Sequence, residues 1–282
     1  MLIANPIYDS VFKYLLEDND VAKLMLSTLI GEEIIDLEFN AQEQIAPILS
    51  RQLRAYRLDF VATMKNSQGQ TRKVLIEIQK AKRETDIPRF RCYLGKQYCL
   101  EDKKTLPILT LYFLGYSLEY HKVPVIHIKR NCLDVATGEI LNQREIFIES
   151  LTHDSYVVQI PSLSKYKRTE IEKMLQVFDQ TRVIDADKHF LDIEASEIPV
   201  PYQLIFRRLQ IAAVTPDMEQ SMRLEDEVLR ELQTLEQKLE FERTEKERAQ
   251  FDKQQTEQLL AKEQAEKEKL LNLLHQLGVK LN

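Results

Sequence analysis

Tryptophan is absent from the 282 residues, and glycine (6), proline (9) and cysteine (3) are scarce. So little glycine and proline excludes collagen-like chains and chains built of flexible linker. Three cysteines cannot pair off into a disulfide framework, and Cys92, Cys99 and Cys132 lack the spacing of a zinc site. Unpaired thiols fit a reducing cytoplasm. No run approaches about 18 apolar residues, so neither a spanning helix nor a membrane partner is expected. Met1 to Asp9 has no basic start and no long apolar stretch, unlike a secretory signal. The five histidines are scattered without metal-ligand spacing, and there is no Gly-rich phosphate loop and no Gly-x-Ser-x-Gly elbow.

The hydrophobic content, 44%, is that of a folded protein, and the charged content, 30%, is slightly high. The length allows one large domain or two modest ones, at about 100–200 residues each. A net charge of −6 argues against a globally basic nucleic-acid binder. The charge is uneven, however. Arg51 to Lys104 holds 14 Lys/Arg against 6 Asp/Glu, a net of +8, and the remainder holds 25 against 39, a net of −14. A basic region on an acidic protein can attract phosphate. Long basic side chains solvating ordinary surfaces give the same count.

Apolar spacings of three and four predict helices over Tyr8–Leu16 and Val21–Ile30, with Asp20 as N-cap and Gly31 as stop of the second. Arg54–Met64 and Arg72–Gln79 alternate as strands do, and the Lys65–Gln70 stretch between them has turn composition, which predicts a hairpin. A helix is expected over Pro88–Tyr98, and strands over Leu37–Phe39, Thr105–Tyr116, Val123–Ile128 and Tyr156–Ile160. Helical pattern returns over Thr169–Phe178 and Gln203–Ala213. Thr215-Pro216-Asp217 marks a boundary, giving a domain over 1–216 and a charged tail over 217–282. From Ser221 to Leu277 there is no Gly or Pro. As one helix this stretch would reach about 85 Å at ~1.5 Å per residue. Its leucine seam (Leu232, Leu235, Leu239, later Leu270, Leu274, Leu277) is interrupted by Glu242, Lys246 and Lys253. Both a solvated single helix and a zipper joining two copies fit that pattern.

The hairpin carries the chemistry. Asp59 stands on its first strand, Glu77 and Gln79 on one face of its second. Two carboxylates side by side repel unless something positive lies between them. A divalent cation with oxygen ligands, Mg²⁺ or Mn²⁺, fills that role. The alternative is two solvent-facing acids paired with Arg57 or Arg72, which would do little.

Four short patterns occur in order: Asp9-Ser10-Val11-Phe12-Lys13, Arg57-Leu58-Asp59-Phe60, Ile76-Glu77-Ile78-Gln79, and Arg89 with Tyr93. Together they resemble the PD-(D/E)xK nuclease superfamily, and more narrowly its recombination-promoting, transposase-like branch. The resemblance covers about the first 120 residues. It implies an α/β, restriction-endonuclease-like fold, a central mixed sheet flanked by helices, here followed by a long charged C-terminal helix. It also implies Mg²⁺-dependent cleavage of DNA. Asp59 and Glu77 would bind the metal, with the backbone carbonyl of Ile78 completing the protein ligands. Asp9 would support the metal or its water. Lys13, Lys80, Arg89 and Arg91 would be the candidate contacts to DNA phosphates. The sequence departs from the superfamily at Gln79, where Lys is usual; Gln is often found there in this branch, and an amide can still hold a water. Lys80 falls on the opposite strand face and could replace that Lys only if a bulge or twist re-aimed it. Each motif residue also has an ordinary reading: Asp9 as an N-cap, Lys13 as an exposed helix residue, Arg89 and Tyr93 as a packed i,i+4 pair. Two further functions stay open: an interaction protein with a degenerate nuclease core and an associating tail, and a nucleic-acid binder that does not cut.

Overall fold

The computed structural model describes residues 1–41, 44–48, 51–55, 58–66, 68–81, 91, 94–95, 98, 106–141, 143, 145–151, 153–184 and 186–276. By its contacts the chain separates into two compact units, Met1–Glu225 and Asp226–Asn282.

The first unit is α/β. Its centre is a six-stranded mixed sheet in the order β2 (Glu33–Ala41), β5 (Leu58–Lys65), β6 (Thr71–Ala81), β7 (Ile108–Leu114), β9 (Asp154–Gln159), β8 (Val125–Ile128). The pairs β2–β5, β5–β6 and β8–β9 are antiparallel; β6–β7 and β7–β9 are parallel. Two small antiparallel sheets pair β1 (Leu2–Ala4) with β10 (Phe190–Asp192), and β3 (Gln44–Ile48) with β4 (Arg51–Ala55).

The predicted hairpin is present, with a local reason for its turn. Asn66 Oδ1 accepts the backbone N–H groups of Gln68 and Gln70 at 3.0 and 2.9 Å, and Gly69 takes the left-handed φ of 79° that the tight return requires. The first arm is shorter than the alternation suggests. Residues 51–55 belong to β4, Tyr56 and Arg57 lie outside the described residues, and β5 begins at Leu58. The Leu37–Phe39 strand is the middle of a longer β2. Of the predicted helix over Pro88–Tyr98, Arg91, Leu94, Gly95 and Tyr98 are helical, and the others, Arg89 and Tyr93 included, lie outside the described residues.

Helices α1 (Asp9–Leu16) and α2 (Asn19–Ile30) bury the stripes Val11, Phe12, Leu15 and Val21, Met25, Leu29 against one face of the sheet. That face presents Phe60, Ile76, Ile78, Leu111 and Phe113. Phe12, Phe113 and Phe178 form the centre of the contact, with ring centroids 5.0, 5.4 and 6.0 Å apart. Two expected caps are corrected. Asp18, not Asp20, caps α2 and accepts from the N–H groups of Asp20 and Val21; Asp20 is already inside the first turn. Asp9 is likewise the first helical residue of α1, behind Tyr8, and the amides of Asp9 and Ser10 donate to Glu225 at 2.8 and 2.7 Å. Replacing Asp18 by Ala strands two amides, so a loss of about 1 kcal/mol is expected in urea unfolding. A loss below about 0.3 kcal/mol would show that water replaces the carboxylate fully.

Later in the chain come the short helices α3 (Ile146–Leu151) and α4 (Glu170–Met174), then α5 (Gln203–Ala213), which buries Ile205, Phe206 and Leu209 in the same core. Helix α6 (Pro216–Gln276) is continuous over 61 residues. Pro216 opens it, where the missing N–H does no harm. Within the first unit its opening turns bury Met222. Beyond Glu225 its surface is laced by i,i+4 pairs such as Arg243–Glu247, and Leu239 and Phe241 are exposed. Among the described residues no helix is long and apolar enough to cross a membrane.

Candidate active site

The β5–β6 register sets Asp59 directly opposite Glu77. Their neighbours Phe60 and Ile76 turn to the helix-covered face, so both carboxylates stand on the other one. Each is 0% exposed. Gln79 shares their face at 4% exposure, and its Nε2 donates to Glu77 Oε1 at 2.6 Å. Gln79 Oε1 is buried with no hydrogen-bond partner among the described residues. Two buried acids directly opposite each other are mutually repulsive, and burial adds the loss of hydration. A shared proton or a cation relieves both.

The donors fit a hard cation in kind: two carboxylates, with the backbone of Ile78 beside them. Ile78 faces Leu58 in the last β5–β6 pair, and β6 then continues to Ala81 beside β7. Among the described residues no group of three or more His, Cys, Asp or Glu side chains is placed to hold a metal. A bound ion would therefore keep several of its waters, as Mg²⁺ commonly does.

Asp9 and Lys80 meet on the opposite side of β6. Lys80 Nζ lies 2.7 Å from Asp9 Oδ1, donates to the Ile7 carbonyl and stands 5.5 Å from the centre of the Phe12 ring. β6 carries no bulge at this point, so Lys80 keeps the face its position dictates. The structure thus brings Asp59, Glu77 and Gln79 together, and places Asp9 with Lys80 on the α1 side. Lys13 is half-buried and 3.9 Å from Glu17. Arg91 is exposed, and Arg89 lies outside the described residues. Part of the +8 region is neutralised locally, since Arg72 pairs with Glu32 at 2.9 Å and Lys65 with Glu33 at 3.3 Å.

Several polar residues near the site are not visible in the sequence motifs. The register extends Asp59–Glu77 across the next strands to Thr110 and Ser155, and Thr110 Oγ1 donates to Ser155 Oγ at 2.8 Å, both buried. Tyr112 stands opposite Gln79. Burial raises its phenol pKa and Glu77 adds to the rise, against a hydrogen bond with Thr110. The available signal was parity: Thr110 and Tyr112 are alternate residues in an otherwise apolar run. On the helix-covered face, by contrast, Tyr156 donates to the Ile30 carbonyl at 2.9 Å and stacks on His127 at 4.0 Å. Burial, with Glu32 and Asp154 nearby, pushes its pKa to about 12. The Asp187 backbone and His189 pack against the start of α1: Tyr8 donates to the Asp187 carbonyl, and its ring meets that of buried His189 at 5.2 Å.

Comparison of the chain with models of known protein families, with curated proteins and with solved structures returns no match.

Proposed function

We propose that the protein is a Mg²⁺- or Mn²⁺-dependent DNA endonuclease of the PD-(D/E)xK type, with a restriction-endonuclease-like fold, acting in the cytoplasm in a recombination-promoting, transposase-like role. The observation that carries this reading is the buried cross-strand pair Asp59–Glu77, with Gln79 on the same face. Asp59, Glu77 and the Ile78 carbonyl would hold the ion. When bound, it supplies Lewis acidity, lowering the pKa of water and offsetting charge that grows on phosphate. Gln79 orients water through its amide. Lys13, Arg89 and Arg91 are the phosphate contacts of the reading; Lys80, committed to Asp9, supports α1 instead.

Plasmid nicking is the direct test. Mg²⁺-stimulated cleavage by the purified chain, lost in Asp59→Ala and Glu77→Ala, is the expected result; equal cleavage by both variants ends the assignment. Gln79→Lys gives a sharper prediction. An ammonium beside Glu77 restores the usual superfamily residue, so the initial rate should rise at least about tenfold. An unchanged or reduced rate would remove Gln79 from the water-positioning role.

The engagement of Lys80 by Asp9, together with Gln79 in the usual Lys position, favours a second reading: a core that binds DNA or a partner without cutting, with association through the tail. The exposed Leu239 and Phe241 support a homodimer through this helix. Light scattering on the full chain and on a chain ending at Glu225 separates the two. Equal oligomeric states would eliminate association through the tail.

A further inference from the structure

The polar row on the Glu77 face does not end at Ser155. His153 lies just before β9, and Tyr98 reaches it from the helical residues that follow β6: the phenol oxygen is 2.8 Å from His153 Nδ1. Arg130 lies just past Ile128, which stands opposite Ser155. Asp154 Oδ1 holds it, accepting from its backbone N at 3.0 Å and from its Nε at 3.2 Å. Arg130 acts through space on both Tyr98 and His153, and Glu77 acts on Tyr98. Phenol and imidazole therefore meet at the end of the candidate face, and the Arg130 guanidinium, tied to Asp154 at the strand end, lies within electrostatic range of both. With strands about 4.8 Å apart, the Ser155 backbone stands roughly 10 Å from that of Glu77.

These three groups share one chemistry. The guanidinium donates to phosphate oxygens, and the Tyr98–His153 pair has one more proton to give: one lies in the bond between them, and the other, on the phenol or on the imidazole, is left for a phosphate oxygen. Contacts of this kind set the register of a nucleic-acid chain. His153 is held neutral near pH 7, its pKa lowered by burial and by Arg130, so it carries one ring N–H. Tyr98 is 40% exposed, so its link to His153 is open to solvent rather than part of the core. A purely structural tie at that exposure would contribute little to stability.

We infer that Tyr98, His153 and Arg130 form a subsite for a backbone phosphate of nucleic acid, beside the Asp59–Glu77 pair. The choice of ligand rests on the nuclease reading: a phosphodiester chain crossing the face would meet both groups. Tyr98, His153 and Arg130 act here by binding and positioning.

The test measures binding without metal or cleavage. The full-length protein is titrated into a labelled duplex oligonucleotide in EDTA, followed by anisotropy at several salt concentrations. Tyr98→Phe and His153→Asn weaken binding several-fold and leave the salt slope unchanged, because neutral donors release no counterion. Arg130→Gln weakens binding and lowers the slope by about 0.9, one phosphate contact. Arg130→Lys restores the slope but not the full affinity, which a merely structural arginine would not do. Arg168→Gln, beside Tyr156 on the other face of the sheet, changes neither. Melting curves establish that each variant is folded; Tyr98→Phe, the smallest change, decides if Arg130→Gln is not. Wild-type binding by all the subsite variants overturns the inference, and so does a wild-type protein that binds no DNA. Weakened binding in the subsite variants, with cleavage unaffected by Asp59→Ala, sinks the proposed catalysis and leaves the subsite standing.

Discussion

Asp59→Asn and Glu77→Gln should each reduce Mg²⁺-stimulated cleavage by about 10²-fold or more, and should raise the melting temperature in EDTA by about 2–4 °C. The two effects have one cause. The carboxylates face each other across adjacent strands, both wholly buried. Without a cation, neutralising either one removes a like-charge repulsion, worth about 1 kcal/mol on the scale of cross-strand pairs. Glutamine at 77 keeps an acceptor for the Gln79 amide, so the existing hydrogen bond survives. Adding Mg²⁺ should reverse the order of stabilities. The wild type gains about 2.7 kcal/mol when the ion reaches a hundred times its dissociation constant, and the variants gain almost nothing. If both variants instead melt lower than wild type in EDTA, the acids are held by cationic side chains, and the pair is structural.

Phe113→Ala should lower stability by about 3–5 kcal/mol, a large part of the ~5–15 kcal/mol that holds a typical domain together. The ring is 1% exposed and touches Phe12 from α1 and Phe178 from the segment after α4. Its removal opens a cavity where helix, sheet and a later turn converge, and three rigid elements cannot all close on it. The expected fall in melting temperature is roughly 6–20 °C. A fall below about 2 °C would show that the aromatic centre repacks freely.

The hairpin and its acidic pair were legible because strand alternation has a period of two and the Lys65–Gln70 turn chemistry is local. Gly31 as the stop of α2 was legible for the same reason: its left-handed φ of 75° is a property of one residue. The α2 cap was misplaced by two residues, since Asp18 and Asp20 have the same chemistry and only backbone geometry separates them. Lys80 shows where local reading ends. Its strand face followed from parity, but its partner, Asp9, lies 71 residues away in sequence and is supplied by the packing of α1. The same holds for Tyr98, His153 and Arg130. They come from three separate segments, and neither period nor spacing relates them before the sheet order is known.

Glu225 receives the two amides that open α1, and the bond to Ser10 closes over 215 residues. The first helix of the globular unit is thus finished by the unit's last residue. Without that carboxylate, a helix of eight residues would lose the acceptor of its first two amides. A shortened protein meant to isolate the globular unit therefore has to run through Glu225, since stopping at the proline that opens α6 would remove the acceptor of both α1 amides.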